Sequence, residues 1–308
     1  MISGRDEDAL RTLAEELSSQ GAQVVYVKAD VSKEEDVNRL AQKAIDAFGG
    51  FDTWINNAAA AVYGHVTDIP IEVARKLFDI NYRGVVYGSL AAVRHFKEKD
   101  SPGALINVGS VAGNRAFPLQ GTYSSSKFAA HSFTDALRME VEKDQLPVVV
   151  PQIHPARVDT PYTDHAASYI DKAPTHDAMM SPPESVAEAI LYAAEKPQRD
   201  IYVGGQAKML SLMGTLMPRV TERYMEHSVY PTNYDAYREA ESPDMSTLQG
   251  KGEELRERGT NKGWTRKGSW MVKMKKHPLL TTCAIAFGVG FLLLWIGMAI
   301  FEDPNKKT

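Results

Sequence analysis

The sequence predicts an α/β fold built on a doubly wound parallel sheet, and three observations carry that expectation. Short apolar runs alternate with amphipathic stretches of helical length along most of the chain. The run Ala104-Leu-Ile-Asn-Val-Gly-Ser110 is continuously apolar rather than alternating, as strands covered on both faces are. The chain has 308 residues, 44% of them hydrophobic and 24% charged, which suits one large globular domain or two small ones. A net charge of −4 gives no basis for a nucleic-acid partner. The single cysteine, Cys283, excludes an internal disulfide and fits a reducing compartment. No basic-then-apolar leader opens the sequence, so no cleaved signal is expected.

The elements follow in order. Residues 1–20 read as a strand stub and a helix, with Ala9, Leu10, Leu13, Ala14 and Leu17 at helical spacing and Asp6 as N-cap. Ala22 to Ala29 is a strand ending at Asp30-Val31, and Ser32-Lys-Glu-Glu35 is a capping box opening a helix to about Phe48. Thr53 to Asn56 is the next strand, leading into Asn57-Ala-Ala-Ala60. A long helix over Ile71 to Glu98 precedes the strand at 104–109, and another helix runs from about Tyr123 to Lys143. Val148 to Ile153 is a strand in which Pro151 is an awkward residue. Ser181-Pro-Pro-Glu184 caps a helix through Ala194, and Asp200 to Val203 is a last strand before Gly204-Gly205.

The chemistry centres on Gly121-Thr-Tyr-Ser-Ser-Ser-Lys127. On a helix Tyr123 and Lys127, four residues apart, share a face. A cation near a phenol stabilises the phenolate and lowers its pKa from about 10, giving a proton donor and acceptor for a carbonyl or alcohol oxygen. Ser110, thirteen residues earlier, sits at the C-terminal end of a parallel strand, where ligands bind in open α/β sheets. Asn81 lies inside the long helix.

With Asn81 these residues complete an Asn-Ser-Tyr-Lys set, and the sequence resembles the short-chain dehydrogenase/reductase family, with its Rossmann-like fold, over roughly residues 3–205. The resemblance implies that Tyr123 is the general acid/base and that Ser110 orients the substrate oxygen. It implies that Lys127 also contacts the nicotinamide ribose and that Asn81 holds a water in a proton relay. It places Asp30, with Val31, at the adenine, and matches Asn56-Asn57-Ala58-Ala59 to the family's Asn-Asn-Ala-Gly segment. Pro155-Ala-Arg-Val158-Asp-Thr160 resembles the Pro-Gly-x-Val-x-Thr segment at the nicotinamide. Alanine replaces glycine in both. Arg5 stands where a basic residue meets the 2′-phosphate of NADP, so NADP is the expected cofactor, with NAD possible.

The family's opening strand, glycine-rich turn and helix have no counterpart here, since Met1 falls at the second strand. The expectation is an N-terminally truncated domain whose central strand is lacking, leaving two neighbours with unpaired edges. The substrate is read as a carbonyl or alcohol compound, lipophilic if Met209, Leu210, Leu212, Met213, Leu216 and Met217 line its pocket or touch a membrane rather than fill the core. Pairing of two copies through the helices beside the site is a further implication of the resemblance.

The domain is expected over 1–230, followed by a polar, basic linker over 231–278. Lys251 to His277 carries nine Lys/Arg against three Glu. Leu279 to Phe301 then runs 23 residues without charge, roughly 34 Å as a helix, which predicts a single-pass transmembrane anchor before a short tail at 302–308. The basic flank puts the globular domain on the cytoplasmic side. The leading expectation is a membrane-anchored NAD(P)-dependent oxidoreductase; the rival is a non-catalytic membrane-tethered scaffold of the same fold.

Overall fold

The structure is a computed structural model that describes residues 1–99, 101–250 and 256–276. The strand stub is β1 (Ile2–Gly4), followed by α1 (Glu7–Ser19), whose N-cap Asp6 accepts hydrogen bonds from the backbone of Asp8 and Ala9. The strand expected over Ala22 to Ala29 shortens to β2 (Tyr26–Lys28). The expected Ser32 capping box does not form: α2 (Glu34–Phe48) begins after Lys33 with no side-chain cap. Asp36 instead reaches back to the backbone N–H of Asp30, and Ser32 bonds the Asp30 carboxylate. Gly49 closes α2 in the left-handed region at φ 75°, which glycine adopts without strain.

β3 (Thr53–Asn56) and the short β4 (Val62–Tyr63) come next. The single long helix expected over Ile71 to Glu98 is interrupted. α3 (Ile71–Phe78) passes into a π turn over Asp79–Arg83 before α4 (Gly84–Lys99) continues. β5 (Gly103–Val108) leads into the loop that carries Ser110, and α5 is Gly121–Lys143. Pro151 splits the next strand into β6 (Val148–Val149) and β7 (Gln152–Pro155), both paired with β5. After β8 (Ala167–Ser168) and β9 (Lys172–Pro174) come α6 (Pro183–Glu195) and β10 (Asp200–Val203).

The main sheet runs β10-β7-β5-β3, all parallel, as a doubly wound fold requires. Its strands alternate between two apolar layers. Leu105 faces α2, α4 and α5 with Val37, Leu40, Ala92, Phe96 and Leu137, while Ala104 and Ile106 face α6 with Ile153, Ala189 and Ala193. β1 and β2 form a separate parallel pair, and β3 is an edge of the larger sheet. Ile55 on β3 is correspondingly 46% exposed.

The apolar run after β10 forms α7 (Gly205–Leu216) and α8 (Pro218–Tyr224), and it is not core: of its large side chains only Leu210 is buried. The expected linker over 231–278 is likewise corrected. β11 (Tyr234–Glu239) pairs antiparallel with β9, Leu248 is fully buried beside Leu77 and Tyr123, and α9 (Trp270–Lys276) buries Val272 beneath α6 and β10. Polar composition concealed this because only isolated apolar residues anchor the segment. The expected span at 279–301 and the tail at 302–308 lie outside the described residues. Among the described residues no helix is long and apolar enough to cross a membrane.

Candidate active site

Ser110, Tyr123 and Lys127 converge on one cavity of roughly 240 Å³ at the C-terminal ends of β5 and β7. The parallel sheet sets the position, since the loops after these strands open on the same side. Asn57, Pro155, Val158 and Thr160 also line it. Asp30, Val31, Ala58 and Arg5 do not. The Arg5 guanidinium donates to the carbonyl of Thr247, in the segment the sequence reads as linker, and one Asp30 carboxylate oxygen is taken by Ser32.

Tyr123 is buried, and its hydroxyl interacts with the side chains of Ser110 and Tyr162. Burial raises its pKa, and those hydrogen bonds only partly offset the rise. The depression expected from Lys127 is therefore reversed in this form. The ammonium stands 5.9 Å from the Tyr123 ring centroid and donates to the Val108 carbonyl at 3.3 Å. Lys127 is itself buried, and desolvation pulls its pKa down to about 8.

Asn81 is fully buried in the π turn. Its amide oxygen accepts from the Ala60 N–H at 2.8 Å, and its nitrogen donates to the Ala60 carbonyl and the Ser126 hydroxyl, both at 3.0 Å. It thus clasps the β3–β4 loop against the helix bearing Tyr123. A π bulge turns one side chain out of the helical register, which is why such bulges recur at functional sites.

Sequence reasoning missed how Ser110 is held. Its hydroxyl accepts from the Ala112 N–H at 3.1 Å, the turn-capping role any serine can take. Its backbone N–H donates to Nε2 of His131 at 3.3 Å, and Nδ1 of the same ring bonds Oδ1 of Asn114 at 3.0 Å. The Asn114 amide nitrogen meets Nδ1 of His154 at 3.2 Å, and Nε2 of His154 meets the Asp200 carboxylate at 2.8 Å. The donors fit one direction only: His154 donates a hydrogen bond to Asp200, Asn114 to His154, His131 to Asn114, and the Ser110 backbone N–H to His131. Burial holds His131 neutral, its pKa drawn down to about 2, so Nε2 stays an acceptor. A Cβ on Gly109 or Gly113 would fall 2.2 or 2.3 Å from the His131 ring. The two glycines flanking Ser110 were the available signal.

The remaining wall was also unforeseen. Tyr162 packs edge-on against Tyr123 with centroids 5.7 Å apart, stacks on His176 at 5.8 Å, and accepts from Gln120 at 3.0 Å. Phe117, Leu210, Tyr224 and Val229 supply apolar surface, and Arg157 adds a cation.

Comparison with known proteins bears on the family and the fold. The family model of short chain dehydrogenases matches residues 1–170. An uncharacterized oxidoreductase of Bacillus subtilis (strain 168) is 50% identical over 287 residues, 93% of this chain and 80% of that protein. An uncharacterized oxidoreductase of Staphylococcus aureus (strain MRSA252) is 34% identical over 198 residues, 64% of this chain and 80% of that one. A short chain dehydrogenase/reductase structure from Burkholderia phymatum, in complex with NAD, superposes with a TM-score of 0.52 at 30% identity. That match covers 53% of this chain and 58% of the other, little more than half its length. The fold is shared with an alcohol dehydrogenase of the archaeon Thermococcus sibiricus, TM-score 0.56 at 24% identity, over 65% of this chain and 83% of that chain. A matching family model and a relative half identical over most of its length leave one assignment: the chain belongs to the short chain dehydrogenase family, the NAD(P)-dependent oxidoreductases.

Proposed function

We propose that this protein moves hydride between a nicotinamide dinucleotide and a carbonyl or alcohol substrate, with Tyr123 as general acid/base. The observation that carries the reading is the convergence of Tyr123, Ser110 and Lys127 on one cavity. The nicotinamide end of a dinucleotide suits the residues there. Lys127 is a buried cation with one carbonyl partner, leaving donors for ribose hydroxyls, and Pro155, Val158 and Thr160 form the facing wall. When bound, the nicotinamide supplies the hydride acceptor or donor. The Tyr123 Oη holds the proton that the substrate oxygen gains or gives up. The Ser110 Oγ orients that oxygen, and Asn81 serves a relay from Lys127 to solvent. The Tyr162 ring and the apolar wall keep bulk water from the site, which strengthens each of these contacts.

NADP is proposed over NAD on the strength of Arg5, whose fork suits a 2′-phosphate. Its present bond to the Thr247 carbonyl would have to yield. The same observation favours a second reading, the non-catalytic scaffold, because the Thr247–Leu248 segment lies over that end of the fold. The proposed membrane anchor is 279–301, with the domain on the cytoplasmic side. Met209, Leu212, Leu216, Met217 and Val220 are exposed on the α7–α8 segment, which also gives Leu210 and Tyr224 to the cavity, and they support a lipophilic substrate. Pairing of two copies is proposed through α4 and α5, where Leu90, Phe128 and Met139 are exposed.

Replacing Tyr123 by Phe tests the reading. Turnover should fall by roughly 10²–10⁴-fold, the usual contribution of a positioned proton donor, while NADPH binding persists. Undiminished turnover would remove Tyr123 from the chemistry, and absent NADPH binding in the unmodified chain would leave the scaffold.

A further inference from the structure

Arg157 follows Ala156 just beyond β7 and lines the cavity with Thr232 and Asn233. Its Nη2 donates to the Thr232 hydroxyl at 2.6 Å and to the Asn233 side-chain oxygen at 3.1 Å. Both acceptors are neutral. Nε and Nη1 have no acceptor among the described residues, and Tyr63, Tyr224 and, least, Asp177 act on it only through space. A largely desolvated guanidinium held by two neutral groups is costly to keep without a counter-charge. Its anchoring on one nitrogen leaves the opposite edge of the fork free for a planar two-oxygen partner.

The surroundings connect this cation to the reacting centre. His176, 7% exposed, carries a buried Nδ1 with no hydrogen-bond partner among the described residues, while its Nε2 meets the Tyr63 hydroxyl at 3.4 Å. From His176 the stacked Tyr162 ring leads to Tyr123 in two ring-to-ring steps of 5.8 and 5.7 Å. Phe117, Leu210 and Val229 line the space alongside. A ligand there meets a proton donor, apolar surface and a fixed cation within one cavity.

We propose that the substrate is an oxo acid or hydroxy acid, its carboxylate received by Arg157 and its carbonyl or hydroxyl carbon presented to Tyr123. This rests on the oxidoreductase reading and narrows its substrate class. An apolar linker between the two groups matches the wall between them. Arg157 then acts as a specificity residue: it holds the end of the substrate that does not react and so fixes which carbon faces the nicotinamide.

Calorimetric titration of the full chain with hexanoate and with hexanamide, with and without NADP, tests this without turnover. The two probes match in shape and differ in charge. Hexanoate should bind at least about tenfold more tightly, and Arg157→Gln should erase the difference while leaving hexanamide within about twofold. Equal affinities in the unmodified chain would overturn the proposal, as would an Arg157→Gln protein that loses both ligands alike. If that variant does not fold, Arg157→Lys decides: a retained preference for hexanoate supports the charge site, and its loss from a folded protein overturns it. Oxidation of NADPH by an oxo acid of the same chain length, 5-oxohexanoate, is assayed separately with Tyr123→Phe as control. Preference for hexanoate without turnover would sink the oxidoreductase reading alone, and turnover without the preference would sink only the acid substrate.

Discussion

Burial sets the protonation of Lys127 and His131 more strongly than their partners do. Lys127 lies 3% exposed with one carbonyl contact, and desolvation brings its pKa from 10.5 to about 8. The folded value is below the unfolded one, so carrying this charge destabilises the fold at neutral pH and the penalty lifts as pH rises from 8 to 10.5. Lys127→Met, similar in length and uncharged, should therefore be more stable at pH 7 by on the order of 2–3 kcal/mol, yet inactive. Chemical denaturation at pH 7 and pH 10 checks both halves, since the gap should shrink at the higher pH. On the acid side, His131 is drawn to about 2 and His176 to about 3 from 6.5. The unfolded chain binds more protons in that window, so stability is present above pH 6.5 and falls steadily below it. A melting temperature unchanged between pH 7 and 4.5 would contradict that burial. His131→Ala should remove the acceptor under Ser110, costing about 1–3 kcal/mol, and should lower kcat while leaving NADPH affinity in place. Loss of NADPH binding in step with kcat would mean the ring supports the whole fold rather than the serine.

At the scale of elements, local pattern was enough wherever a residue's neighbours in sequence decide its state. The apolar run of β5, the helical spacing around Tyr123 and Lys127, and the Asp6 cap were all legible for that reason. Pro151 was legible as a disturbance, and it divides β6 from β7. What escaped depends on distant partners. The π turn at Asp79–Arg83 exists because Asn81 must reach Ala60, twenty-one residues away, and nothing in the helical repeat announces it. The two glycines around Ser110 make sense only once His131 stands between them. Arg157 reads as an ordinary arginine until Thr232 and Asn233 fold back to hold it. The π turn yields a direct test. Asn81→Ala strips three hydrogen bonds and leaves the buried Ala60 N–H without that acceptor, so it should cost about 2 kcal/mol or more. Because the clasp also locates Ser126 on α5, activity should fall further than stability alone explains. Unfolding in urea set beside kcat separates the two, and an Asn81→Ala enzyme with undiminished kcat would confine the residue to structure.

For the molecule as a whole, the decisive feature is the segment after residue 230, which composition presents as a tether and the fold treats as part of the domain. Leu248 and Val272 are fully buried in two different apolar clusters, β11 extends the short strand β9, and the Trp270 ring packs against Gly205 at the start of α7. Asn233 and Thr232 hold Arg157, and both line the cavity. Losing one buried aliphatic side chain costs roughly 2–5 kcal/mol, so losing two approaches the whole stability of a typical domain, about 5–15 kcal/mol. A chain ending at Tyr230 should therefore fail to melt cooperatively and should be degraded quickly by protease. A chain ending at Lys276 keeps every one of these contacts and lacks the uncharged stretch and the short charged tail beyond. It should melt like the full protein and, if 279–301 is the anchor, leave the membrane fraction that retains the full chain. Cooperative unfolding of the shorter chain would return 231–276 to the status of a linker. Membrane retention of the longer one would move the attachment to the exposed apolar face of α7 and α8, where Met209, Leu212, Leu216 and Val220 already stand in solvent.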